Sequence, residues 1–257
     1  MFVVEGLLAS IVGVVAFFYL SDAPAKAKWL TDAERRALID ALSQEDVAKL
    51  AHGPASLRDL LRSPWLAMFC VVYFTVQMSV YGVVFYLPTR IAELHGGKVD
   101  LTVGLITAIP WLCALAVTWW ITRFADRTGS HRGLAALMLV CAGCGIAASA
   151  LSSSLVPVII AFCFAASGFV SAQPLYWTLP TNYLGGVAAA GGIALINSLG
   201  NVGGFVAPNL KNWAEQTFSD PRAGMLSLAC IAFVGAAMLA LMRRASHVQP
   251  HVQSATT

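Results

Sequence analysis

Apolar residues run through this chain in long unbroken blocks separated by short polar stretches, not in alternation and not on one face of a helix. Seven blocks stand out, at about 2–20, 66–87, 101–122, 133–152, 156–179, 184–207 and 224–242. Each approaches the roughly 20 residues that a helix rising 1.5 Å per residue needs to cross an approximately 30 Å hydrocarbon core. The pattern predicts an all-α integral membrane protein with seven transmembrane helices. The one long polar stretch, 21–63, separates the first helix from the other six and forms a linker; 64–244 holds the six, and 245–257 is a polar tail. Within the linker, Thr31 and Glu34 have the spacing of a capping box, in which each side chain satisfies the other's exposed amide. An amphipathic surface helix over about 32–51 should follow, with Leu38, Ile39 and Leu42 on one face.

Composition sharpens the picture. Hydrophobic residues make up 58% of the 257 and charged ones 11%, with a mean hydropathy of +0.73. Soluble domains carry roughly 25% charged residues, so lipid must be the solvent for most of this chain. A formal charge of +3 with no long basic block excludes a nucleic-acid partner. The six cysteines all fall inside apolar runs, including Cys141 and Cys144 at C-x-x-C spacing, and read as small packing residues. No metal-ligand cluster or nucleophile–base pair recommends an enzyme, and neither cofactor nor metal is implied.

Orientation follows from the loops. The side holding the linker, the 123–132 loop and the C-terminus carries Lys26, Lys28, Arg35, Arg36, Lys49, Arg58, Arg62, Arg123, Arg127, Arg132, Arg243 and Arg244. The other side carries Arg90, Lys98, Lys211 and Arg222. The first side is therefore expected in the cytoplasm, with the C-terminus inside and the N-terminus outside. Residues 1–20 could be read as a signal peptide, but Glu5 and the lack of an early Lys or Arg argue against it. The preferred expectation is an internal helix of a longer protein.

Helical spacing organises the polar groups inside the spans. Tyr73, Gln77 and Tyr81 stand at i, i+4 and i+8, Gln173, Trp177 and Thr181 repeat that spacing with Tyr176 beside them, and Asn197 and Asn201 repeat it again. Such stripes either line one cavity or bond neighbouring helices. Pro110 and Pro174 each remove an intrahelical hydrogen bond, which marks a hinge or a cavity lining. Gly200 and Gly204, at small-x-x-x-small spacing, favour close helix packing. No Asp, Glu, Lys, Arg or His lies within the last six apolar blocks, and Glu5 is the acid placed at depth. This chain therefore offers shape and hydrogen bonds but not coupling chemistry.

Five strings carry a resemblance: WLTDAERRAL at 29–38, SVYGVVFYLPT at 79–89, GLITAIPWL at 104–112, ADRTGSHR at 125–132, and LPTNYLGGVAAAGGIALINSLGNVGGFVAP at 179–208. In this order and spacing the chain resembles the second half of a major facilitator superfamily transporter. The nearest pattern is the anion:cation symporter family of phthalate, tartrate, hydroxyphenylacetate and sugar-acid permeases. The resemblance implies that 1–20 is equivalent to helix six of twelve and that 64–244 is the C-terminal six-helix bundle. It implies an inner-membrane symporter moving a small organic anion with a proton, whose titrating groups sit in a first half missing here. Tyr73, Gln77, Tyr81, Gln173, Tyr176, Trp177, Asn197 and Asn201 would face the substrate. Asp126, Arg127 and Gly129 would serve an inner gate closing against the missing half, and Pro110 and Pro174 the conformational change. The alternative is a fragment that does not transport, or a packing partner for a separate first half.

Overall fold

The computed structural model describes residues 2–21, 23–27, 29–52, 57–97 and 100–242. The expected tail at 245–257 lies outside the described residues, as do Lys28, Lys98, Arg243 and Arg244. Among the described residues every regular element is helical, and the chain divides into two units, Met1–Ala51 and His52–Thr257.

The first unit opens with α1, Phe2–Tyr19, an apolar helix of 18 residues. Val3, Leu7, Ile11, Val14, Phe17 and Phe18 are all more than half exposed, so this helix is apolar on every side. That is the signature of a helix made for a nonaqueous surrounding. Glu5 falls in the first turn of this helix as described. A short 3₁₀ turn, Pro24–Lys26, leads to α2, Asp32–His52. The capping box forms as read: the Thr31 amide donates to Glu34 Oε2 at 3.0 Å and the Glu34 amide to Thr31 Oγ1 at 3.4 Å. The Thr31 hydroxyl also donates to Glu34 Oε2 at 2.7 Å, and these bonds hold the Glu34 carboxyl below its ordinary range. Arg35 fixes the approach to the helix by bonding Asp32 and the carbonyls of Ala27 and Leu30.

The second unit contains a short helix, α3 (Leu57–Arg62), and six long ones: α4 (Pro64–His95), α5 (Leu101–Thr128), α6 (His131–Leu151), α7 (Leu155–Tyr183), α8 (Gly186–Phe218) and α9 (Ala223–Leu241). All six are long and apolar enough to cross a membrane. Their ends follow from local chemistry. Ser63 caps α4 by accepting the Trp65 amide, with Pro64 at the first helical position where its missing N–H costs nothing. Asp100 caps α5 by accepting the Val103 amide at 2.8 Å. Gly129 closes α5 at φ 64°, a left-handed conformation suited to glycine, and its amide bonds the Ala125 carbonyl.

Three of these helices run past the expected boundary, each through a proline. The apolar blocks ended at residues 87, 179 and 207, immediately before Pro88, Pro180 and Pro208, yet α4, α7 and α8 continue to His95, Tyr183 and Phe218. A proline removes one backbone bond without ending a helix held by its neighbours. The residue after each one also bonds a nearby carbonyl: Thr89 to Tyr86, Thr181 to Trp177 and Asn209 to Phe205. The extension carries Arg90, Glu93, Lys211 and Glu215 onto helices, where loops were expected. Asp126 and Arg127 likewise belong to the last turn of α5, not to a free turn, and α5 and α7 are continuous across Pro110 and Pro174.

Packing is tightest between α6 and α7. A Cβ on Gly145 would strike the α7 backbone at Ala161 and Ala165, and one on Gly168 would meet the α6 backbone at Met138 and Ala142, 2.5 Å away. Two apolar clusters form the core, one around Phe69, Leu139 and Tyr176, the other around Met78, Phe162, Phe169 and Leu228. The helices share this core unequally: 61% of the most apolar stretch of α4 and 56% of that of α7 is buried, against 17% for α5 and 22% for α8. The last two present long uncovered faces, with Leu112, Leu115, Trp119 and Trp120 exposed on α5 and Leu199, Phe205 and Trp213 on α8.

Candidate functional site

Four side-chain amides from three helices join into one row. Gln77 on α4 is the centre, only 6% exposed. Its Nε2 donates to Asn201 Oδ1 on α8, and its Oε1 accepts from Gln173 Nε2 on α7 at 3.5 Å. Asn201 Nδ2 in turn donates to the Asn197 carbonyl at 2.9 Å and to Asn197 Oδ1 at 3.1 Å. Burying an amide without partners is costly, and the pairing explains how Gln77 is tolerated at the centre. The row opens outward: Gln173 is half-buried, while Asn197 and Asn201 are exposed on the uncovered face of α8. An amide has two donor hydrogens and two acceptor lone pairs, so the open members keep capacity for a polar ligand.

The aromatic residues divide. Tyr176 is fully buried and its hydroxyl donates to the Phe69 carbonyl at 2.8 Å, which commits it to the core instead of the open wall. Tyr73 is 5% exposed, stacked on Tyr176 with centroids 5.3 Å apart and edge-on to Trp177 at 5.0 Å. Its ring fills the space that a Cβ on Gly200 would occupy. Tyr81 lies over Gly204 in the same way and stacks with Phe85 at 6.0 Å. The paired glycines are therefore seats for two tyrosine rings, and they set how closely α8 approaches α4. Tyr81 and Trp177 remain half-buried beside the amides.

The residues assigned to a gate lie elsewhere. Thr118 on α5 bonds Ser171 on α7 at 2.9 Å, and Asp126 stands eight residues further along α5, about 12 Å at 1.5 Å per residue. Asp126 pairs with His131 Nε2 at 3.0 Å, in the first turn of α6, while Arg127 is exposed. The neighbour that meets Asp126 in this chain is thus the N-terminal end of the next helix. Pro110 is buried and Pro174 exposed.

The sequence pattern missed a charged pair. Lys211 Nζ and Glu215 Oε1 are 2.8 Å apart on the extended end of α8, and the ammonium lies 4.9 Å from the Tyr86 ring centroid on α4. Their i, i+4 spacing is itself a helical signal, passed over because the apolar block ends at 207, which leaves Lys211 in a loop. At 33 residues α8 is about 50 Å long, well over the hydrocarbon thickness, so this pair sits toward one end and not beside the amide row.

Known proteins resemble this chain in sequence. A family model described as Major Facilitator Superfamily matches residues 1–208. The inner membrane transport protein RhmT of Escherichia coli strain K12 is 45% identical over 243 residues, covering 95% of this chain and 56% of that protein. A putative tartrate transporter of Agrobacterium vitis is 34% identical over 244 residues, with the same two coverages. A putative metabolite transport protein, NicT, of Pseudomonas putida is 30% identical over 237 residues, covering 90% of this chain and 54% of its own length. The chain thus spans about half the length of the curated relatives it matches.

Proposed function

The chain belongs to the Major Facilitator Superfamily, and from that premise we propose that it forms the second half of a secondary active transporter in the inner membrane, a proton-coupled symporter of small organic anions. In this reading α1 is the sixth helix of twelve and α4–α9 are the seventh to twelfth. The observation that carries the proposal is the amide row across α4, α7 and α8, buried at Gln77 and open at Asn197 and Asn201. A row of this kind supplies donors and acceptors to a hydroxylated, charged molecule while leaving the coupling charge to another element. The names of two relatives specify tartrate, a small hydroxylated dicarboxylate, which supports the anion class.

The first half covers the bare faces of α5 and α8. Those two helices bury the smallest share of their most apolar stretches, and their exposed tryptophans and leucines form the surface that a second bundle would occupy. Asp126 and Arg127, at one end of α5, act at the inner gate, with His131 steadying Asp126 between closures. Ligand affinity in alanine variants of the amide row tests the substrate assignment.

The excess of Lys and Arg on one side supports a cytoplasmic C-terminus. A reporter fused after Arg244 is expected to be active in the cytoplasm, and one inserted between Leu94 and Lys98 in the periplasm. A periplasmic C-terminus would overturn both the orientation and the assignment of Asp126 to an inner gate.

A further inference from the structure

The face that carries the amide row continues toward the end of the bundle where α4 and α8 finish. On α4 the four-residue spacing runs from Gln77 through Tyr81 and Phe85 to Thr89, and on α8 Asn201, Gly204, Pro208 and Asn212 follow one another at three- and four-residue steps along one face. Between them lies a cavity of about 240 Å³ lined by Tyr81, Phe85, Tyr86, Thr89, Lys211 and Asn212. It is below the approximately 300–1,000 Å³ of drug-sized pockets, a size suited to a small metabolite. Tyr81, its near wall, is one turn or about 6 Å from Gln77 and Phe85 about 12 Å, so the cavity adjoins the amide row at Tyr81 and extends beyond it.

Lys211 gives it a sign. Its side chain is 19% exposed, with Glu215 at 25%. An ammonium has three donor hydrogens; here the Glu215 carboxylate takes one and the Tyr86 ring faces the group. Glu215 has a second compensation. Gly224, in the first turn of α9, lacks the side chain that would otherwise stand 2.7 Å from Glu215 Oε1, so the carboxylate settles against the positive end of that helix. Arg90 is engaged by Glu93 at 3.0 Å and by the Ser152 carbonyl at 3.2 Å, and is not the ligand for Glu215. Lys211 can therefore turn to another anion without leaving Glu215 bare.

We propose that this cavity is a docking subsite for the carboxylate of a small polyhydroxylated acid, with Lys211 as the anion ligand and Glu215 as the internal carboxylate that holds Lys211 when the subsite is empty. Tyr81, Thr89 and Asn212 meet the hydroxyl groups. The proposal rests on the small-anion reading above and adds to it a second station, at the mouth of the path.

The test is calorimetric titration of gluconate, with its uncharged counterpart sorbitol as control, into the full chain in phosphatidylcholine nanodiscs. Gluconate is expected to bind and sorbitol not to bind. Lys211→Gln should weaken gluconate at least tenfold, and Glu215→Gln, which keeps the cation and removes its internal competitor, should strengthen it several-fold. The opposite sign for the second variant keeps the test decisive if the first fails to fold. No gluconate binding, an unchanged Lys211→Gln variant, or weaker binding by Glu215→Gln overturns the subsite. Binding lost in Gln77→Ala but intact in Lys211→Gln overturns it while leaving the amide wall standing. Binding lost in Lys211→Gln but intact in Gln77→Ala supports the subsite and removes the wall.

Discussion

Replacing Asn197 with alanine in the chain paired with a matching first half is expected to weaken gluconate binding by about 1–3 kcal/mol, roughly 5- to 150-fold, because a polar ligand group would be left unpaired in a dry site. Folded yield should stay near normal. The side-chain partner of Asn197 is Asn201, one turn away on the same helix, so the change breaks no bond between helices. Gln77→Ala and Gln173→Ala are expected to lose affinity on the same scale, but Gln77 differs in one respect. It is bonded to both Gln173 and Asn201, so its loss removes one side-chain partner from each. Even so, an interhelical amide bond in a membrane contributes only about 0.6 kcal/mol on average, and the variant should still fold. A row that served packing alone would give the reverse ordering, with yield reduced most for Gln77→Ala and affinity unchanged in all three. That result would remove the wall from the substrate path without touching the fold.

Much of the architecture was legible in the sequence because membrane helices declare themselves by length and hydropathy, and six of them appear where the blocks placed them. The capping box at Thr31 and Glu34 was equally readable, since both partners lie within one turn. What could not be read was set by neighbours. The apolar blocks end just before Pro88, Pro180 and Pro208, but packing against neighbouring helices carries all three helices onward. The same misjudgement hid Lys211 and Glu215. The polar stripes on α4, α7 and α8 were correctly spaced, yet spacing does not say which member faces outward. Gly200 and Gly204 decide that, by admitting the rings of Tyr73 and Tyr81 and drawing α8 close enough for Asn201 to reach Gln77. Tyr176 shows the limit most plainly: it adjoins the stripe of half-buried Gln173 and Trp177 and still ends fully buried with its hydroxyl on the Phe69 carbonyl.

The second large effect concerns coupling. The amide row contains no group that titrates, the Lys211 and Glu215 pair lies toward one end of α8, and Glu5 is in the first turn of α1. A proton symporter needs a group that gains and loses a proton as the substrate comes and goes, and among the described residues of the second unit no carboxylate stands beside the row. The most direct measurement is therefore gluconate-driven proton uptake into vesicles, made with the purified chain alone and with the chain co-produced with a first half taken from the relative that is 45% identical. No uptake is expected from the chain alone, and uptake is expected from the pair, abolished again by Asn197→Ala. Robust coupled uptake by the chain alone, lost on Glu5→Gln, would contradict this expectation.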